Sequence, residues 1–489
     1  MGIVIKQSIK NMVVTYIGFG VGAINILFLY THILTPAYFG LVNFILATAA
    51  ILMPLLAFGI QNTLVKFYSG QPEEEKDTFL ILMLLGPLLA ILPVSAILLV
   101  FEQEIKAFLS KENELVGDYI WYIFWIGVAM SYFEVFYAWS KVYLKSVFGN
   151  FMKEVFVRLG TMVLLLLLYF EVLSVPIFLK LMVITYVVRT IIMNVYVFRL
   201  KRPRLSFSLP SNVKEILGYS LYIILGGSAA LILLEVDKFM INQFEEIANV
   251  AYYSVAIFIA TVIIVPSRAM HQITYPLTAK LLNDDDLDGL NQLYKKTSLT
   301  LFIASGIIFL LIILNINDLY LLLPKEYAKG FSVVFLIGLA KVMESLTGNV
   351  NSILYNSKYY KTILILGVLL AMSTIVLNLY FIPKYGIFGA ALASFIALFV
   401  FNVVKLLFVK QKFGLWPLTT STLKTFVLIA GITLIFWYVS LPFSPIINIG
   451  FKTMLIVMVY TLVIYKFRIS IEINEIIIGI LQKFKRKTP

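Results

Sequence analysis

The chain has 489 residues, of which 61% are hydrophobic and only 13% charged, with a mean hydropathy of +0.95. A soluble domain carries about 45–50% apolar and about 25% charged residues, so soluble cores cannot hide this much apolar surface and an integral membrane protein follows. The net charge of +13 would suggest nucleic acid in a soluble protein; in a membrane protein, lysine and arginine retained on the cytoplasmic side explain it, and no nucleic-acid partner is expected.

Apolar runs of roughly 20 residues without strict alternation exclude an outer-membrane barrel, whose strands alternate over about ten residues. Helices satisfy their own backbone hydrogen bonds in lipid, so the expected fold is all-α and polytopic. Fourteen spans are expected: 12–34, 40–62, 78–101, 116–139, 151–170, 176–199, 215–240, 246–267, 298–316, 329–354, 361–381, 386–408, 421–440 and 447–466. With the N-terminus in the cytoplasm, twenty-six lysines and arginines fall on the inner side and seven on the outer, which predicts cytoplasmic termini. No cleavable signal is evident in the first run, and Lys6 breaks the myristoylation pattern opened by Gly2.

Spans 1–6 end at the basic loop RLKRPRLSFSLP. Phe44–Thr48 matches Ile257–Thr261 at an offset of 213, and Glu134 of span 4 matches Glu344 of span 10 at an offset of 210. Together they favour a parallel repeat of six-helix lobes. The expected organisation is an N-terminal lobe over 1–204, a C-terminal lobe over 205–412, two added spans over 413–467 and a cytoplasmic amphipathic tail over 468–489. The tail has an apolar body and ends in KFKRK, as an interfacial helix held by anionic lipid would. The stretch DDDLDGLNQLYKK, acidic first and basic last, reads as a short surface helix.

There is no cysteine, and the two histidines, His32 and His271, give no metal signature. The sequence has no GxxxxGK[ST], HExxH or GxSxG, so ATP-driven and hydrolytic chemistry is disfavoured and no cofactor is expected. The chemistry lies in charges inside apolar spans, where each costs about 2.5–3.5 kcal/mol on insertion scales and usually faces protein or water. The candidates are Glu134, Arg158, Arg189, Glu235, Asp237, Lys341 and Glu344, with Arg268 closing span 8. Arginine offers two-pronged donors that match phosphate oxygens. Arg158, Arg189, Arg268 and Lys341 are therefore the candidates for an anionic substrate. Glu134, Asp237, Lys238 and Glu344 are the candidates for a coupling ion, H⁺ or Na⁺, or for cavity charge. Structural roles compete: Lys341 and Glu344 share a helix face, Glu154 lies one turn before Arg158, Lys238 can pair with Glu235 or Asp237, and Arg268 can be an inside-positive anchor. Lys180 and Lys405, near span ends, are expected to snorkel. Pro54, Pro87, Pro93 and Pro266 kink their spans, either statically or for bending during transport.

The segment ILTPAYFGLVNFILATAAILMPLLAFGIQNTLVKFYSG, residues 33–70, resembles the start of the Wzx-like oligosaccharide flippases, with a Pro-x-x-Phe/Tyr-Gly turn at Pro36–Gly40 and a Leu-Val-Lys-Phe exit at Leu64–Phe67. ILLEVDKFMINQF resembles the family's stretch around Asp237, Lys238 and Met240. VAYYSVAIFIA and PKYGIFGAALASFIA (383–397) resemble later pieces. The resemblance implies two six-helix lobes around a central cavity and a polyprenyl-pyrophosphate-linked oligosaccharide as substrate. It implies ion-coupled movement to the outer leaflet of a bacterial inner membrane for cell-surface polysaccharide such as O-antigen or capsule, without enzymatic chemistry. Membrane lipid and other polysaccharide-assembly proteins would be partners. A cation-coupled multidrug antiporter of the same fold is the alternative, and a polysaccharide polymerase or ligase a weaker one, since the outer gaps are short.

Overall fold

The computed structural model describes residues 2–204, 208–227, 229–439, 442–475 and 478–479. Helices dominate, and there is no strand among the described residues. Each of the fourteen expected spans falls on helix, span 7 on Val213–Gly227 and Ala229–Phe244 at either side of position 228. Among the described residues, nine helices are long and apolar enough to cross a membrane, and a tenth results if Lys325–Leu346 and Val350–Asn356, bent by 55°, form one span. Positions 205–207 within the basic loop and the basic end of the tail, 480–489, lie outside the described residues.

The described chain forms two compact units. One holds Met1–Ser254 with Gly367–Ile387, the other Val255–Leu366 with Phe388–Pro489.

In the first unit, the Pro36–Gly40 turn is a helix start. Thr35 caps it by accepting from the Tyr38 backbone N–H (3.5 Å), and Pro36 occupies a first-turn position that needs no donor. Gly40 permits a close crossing: a Cβ there would lie 1.9 Å from the Ile247 carbonyl oxygen. The same corner is fastened by Asn113. Its side-chain amide donates to the Asn242 and Glu245 carbonyls (each 3.0 Å), and its oxygen accepts from the Ile247 N–H (2.8 Å). A buried polar group held this way satisfies a turn that lipid could not. Spans 1 and 5 each contain a π-helical stretch, Ile24–Leu29 and Met152–Phe156. Asn25 in the first donates to the Arg158 carbonyl just after the second (2.8 Å).

Spans 11 and 12 run as one helical stretch, Tyr360–Phe413, kinked at Gly386. There φ is 57° and ψ −136°, which only glycine adopts without strain. The kink sits in the PKYGIFGAALASFIA segment, where a turn was expected.

In the second unit, the acidic stretch expected as a separate surface helix instead opens the 34-residue helix Leu287–Tyr320. Asp286 caps it, accepting from the Gly289 N–H (2.8 Å). The continuous apolar face beyond Lys296 leaves no reason for a break. Span 8 likewise does not end at Arg268. A short 3₁₀ stretch, Val262–Ile264, precedes a helix from Val265 to Asn283, with Pro266 in its first turn.

Candidate functional site

Two clusters of charge stand inside the spans, one in each unit. In the first, Glu134 projects from the helix Ile120–Val142 and meets Lys153 of the π stretch at 2.5 Å. Lys141 and Arg189 lie within electrostatic reach of the same carboxylate. Three cations therefore share one acid. Arg189 comes from the helix Val175–Leu200 and is 5% exposed. Its guanidinium carbon sits 4.0 Å from the Phe133 ring centroid and 4.9 Å from that of Tyr186. Its Nε has no hydrogen-bond partner among the described residues. Cation–π contact offsets part of the desolvation, and the unused donor remains a standing cost.

Arg158 is closer to its local alternative. It pairs with Glu154 at 2.8 Å, the partner one turn earlier, and it also donates to the Glu154 carbonyl. The pair is about one-third exposed on the arginine side. Arg158 nevertheless lines a cavity of about 170 Å³ with Asn25, Asn43, Tyr30, Thr161 and Tyr186. Tyr186 is within electrostatic reach of both Arg158 and Arg189, so the two arginines flank one tyrosine.

Asp237 and Lys238, the pair singled out by resemblance, part company. Asp237 is buried and accepts from the Tyr253 hydroxyl and from the Asn378 amide (2.7 Å). It ties spans 7, 8 and 11 of the first unit together. Lys238 instead pairs with Glu235 at 2.7 Å, three residues earlier on the same helix.

The second cluster is built by three helices of the second unit. Lys341 and Glu344 on Phe331–Leu346 pair at 2.9 Å, as their spacing predicts. Lys405 and His271 lie within electrostatic reach of Glu344. Lys405 does not snorkel. Its helix runs on to Phe413, so the side chain is held at depth, 1% exposed, donating to the Asn351 side-chain oxygen (3.1 Å) and lying 4.2 Å from the Phe401 centroid. Arg268 stands apart, exposed in the middle of its helical run.

Sequence reading missed Lys153 and Asn351, and it gave Lys405 a snorkelling place at a span end. Lys405 had a signal: within four residues on either side, Asn402 is its one polar neighbour. Lys153 had none, since its pairing with Glu134 depends on tertiary contact. No group of three or more acidic or histidine residues suited to a metal exists among the described residues.

Residues 4–282 match the family described as polysaccharide biosynthesis protein. The chain belongs to that family. No curated protein matches it by sequence. Among solved structures, the lipid II flippase MurJ in an inward-closed conformation is similar over 95% of this chain and all of its own, with a TM-score of 0.67 at 17% identity. An inward-facing multidrug resistance MATE family transporter of the MOP superfamily is similar over 82% of this chain and 94% of its own (TM-score 0.66, 15% identity). A MOP superfamily transporter from Pyrococcus furiosus, described as having a binding pocket of reversed polarity, covers 84% and 96% (TM-score 0.56, 15% identity). At these identities the likeness establishes the fold. The fold is the one seen in that flippase and those transporters, and the chain is a multi-pass membrane protein of the polysaccharide biosynthesis family.

Proposed function

We propose that this protein translocates a polyprenyl-pyrophosphate-linked oligosaccharide from the inner to the outer leaflet of a bacterial cytoplasmic membrane, for cell-surface polysaccharide. Movement is by alternating access, coupled to a gradient of H⁺ or Na⁺ rather than to ATP. The reading takes residues 1–204 and 205–412 as repeated lobes with both termini cytoplasmic, and other polysaccharide-assembly proteins as partners.

One observation carries it: each cluster sets more cations than carboxylates against one another, Lys153, Lys141 and Arg189 around Glu134 and Lys341 and Lys405 around Glu344, and in each the most buried charge is a cation, Arg189 or Lys405. A buried positive excess is unfavourable in lipid until an anion arrives. A pyrophosphate supplies that anion, and Arg189 has an unused donor to give it. Glu134 and Glu344 hold their lysine partners until substrate phosphate competes for them. Protonation of either acid would favour the substrate-bound state, and only such a difference between states can drive transport.

The alternative, a multidrug antiporter, has the same fold but favours an acidic surface for organic cations, which neither cluster presents. Translocation of a polyprenyl-pyrophosphate-linked saccharide in proteoliposomes, with and without an ion gradient, tests the reading. Gradient-dependent movement is expected. No movement across a panel of lipid-linked sugars, with efflux of a cationic dye instead, would put the antiporter first.

A further inference from the structure

The second unit contains a polar cavity whose lining includes none of Lys341, Glu344 and Lys405. It occupies about 400 Å³ between the end of Leu287–Tyr320, the start of Phe331–Leu346, the end of Thr420–Phe436 and the start of Pro445–Lys466. That volume lies within the roughly 300–1,000 Å³ usual for ligand pockets. The connections after spans 9 and 13 adjoin these same helix ends, and with both termini cytoplasmic they lie on the outer side, so on that topology the cavity opens outward.

At its base, Lys452 and Asp318 form an ion pair at 3.0 Å, each about one-tenth exposed or less. The Asn448 amide donates to the other Asp318 oxygen (3.1 Å). Around them stand Trp437, Tyr438, Phe443 and Phe331, with Asn317 exposed at the rim. Tyr438 is 86% exposed and Trp437 45%.

A buried ion pair is weak evidence for stability, because desolvation offsets its attraction and a hydrophobic replacement is often neutral or better. The pair also neutralises itself, so the cavity has no spare cation for a phosphate, unlike the Arg189 and Lys405 clusters. Its fixed amide and carboxylate dipoles suit a ligand rich in hydroxyls. Its exposed aromatic faces suit one with flat C–H surfaces. Those two requirements describe a neutral sugar ring.

We propose that this cavity binds one or two sugar residues of a glycan on the outer face, apart from the anionic headgroup. The proposal rests on the glycan-handling reading and on cytoplasmic termini. Trp437 and Tyr438 provide the stacking faces, Asn317 the adjustable hydrogen bonds at the rim. Asp318, Lys452 and Asn448 form a locked polar floor.

The test is isothermal titration calorimetry on the full-length protein in nanodiscs. The probe is lipid-free oligosaccharide released by mild acid from the lipid-linked pool of the producing cells, with glycerol phosphate as a headgroup competitor. Saturable saccharide binding is expected, insensitive to glycerol phosphate. Tyr438→Ala should weaken it about tenfold and Asn317→Ala about threefold, as single aromatic and hydrogen-bond contacts do. Both side chains are exposed, and a thermal melt matching wild type confirms the fold of each variant. No saturable binding, equal binding in wild type and both variants, or displacement by glycerol phosphate would overturn the site. Translocation measured alongside separates the two claims. Transport without saccharide binding removes the outer site alone, while saccharide binding without transport of the lipid-linked form removes the transport reading and leaves the site.

Discussion

Arg189 in the first unit and Lys405 in the second are the deepest cations of their clusters, yet they are held differently. Lys405 has a polar partner, the Asn351 oxygen, and an aromatic face. Arg189 has two aromatic faces and an Nε that meets no acceptor. The first arrangement resembles a completed structural contact. The second resembles a donor kept available. Burial alone does not mark a binding residue; burial with unspent hydrogen-bonding capacity does.

The largest effect is therefore expected at Arg189. Arg189→Ala should lower translocation roughly 10- to 100-fold, the worth of one hydrogen bond to a charged group at about 1.5–3 kcal/mol. Arg189→Lys should recover part of the rate, because lysine keeps the charge but not the planar fork. Thermal stability should change little or rise, since the substitution removes an incompletely satisfied buried charge. Lys405→Met should reverse the pattern: a smaller transport loss and a lower melting temperature, because it leaves the Asn351 oxygen without its donor. If Lys405→Met abolishes transport while Arg189→Ala does not, the contrast is inverted.

How much of this was readable in the chain differs between fold and site. Fourteen apolar runs, the Gly40 turn and the break near Gly386 were legible because hydrophobic length and glycine act locally. The run-on of helices to Asn283 and from Leu287 was not, because polar residues continue a helix once it is anchored by an apolar stretch and a cap. Two pairs along single helices, Lys341 with Glu344 and Arg158 with Glu154, were legible from spacing of three and four. The partners that decide the clusters were not. Lys153 reaches Glu134 across 19 positions, and Asn351 reaches Lys405 across 54. The cradle of Asp237, from Tyr253 and Asn378, equally requires the folded chain.

The two carboxylates offer the next contrast. Glu344 is 32% exposed at its side chain and has His271 within reach, whereas Glu134 is 15% exposed. The more accessible acid is the better seat for a coupling ion. Glu344→Gln should bring the ratio of rates with and without a gradient close to one, and Glu134→Gln should keep that ratio while slowing both rates. The opposite assignment would move the coupling ion to the first unit.

Gly386 separates chemistry from scaffold. The chain passes from the first unit to the second between Ile387 and Phe388, just beyond this glycine. A Cβ at Gly386 would lie 3.0 Å from a Glu245 carboxylate oxygen, and its backbone angles are glycine-specific. Gly386→Ala should destabilise by about 1–3 kcal/mol, visible as an earlier thermal unfolding. Its transport loss should track the loss of folded protein, without the selective gradient effect of Glu344→Gln.

The smallest effect belongs to an ion pair outside this depth. Glu472, beyond the last span, meets Lys296 at 3.2 Å with both side chains substantially exposed. Partial burial pushes its carboxyl up, but its own backbone N–H, Lys296 and Ser470 together hold it below the ordinary carboxylate value. A depressed acid contributes stability above its unfolded value, and that contribution fades as pH falls toward and through the folded one. Solvent screening keeps it small. Glu472→Gln should therefore lower the melting temperature by no more than about a degree at pH 7, and by progressively less as pH falls through the carboxylate range, the shift being reduced further by salt. A large, salt-insensitive loss there would mean that exposed charges in this protein matter as much as buried ones, and the distinction drawn between Arg189 and the rest would lose its basis.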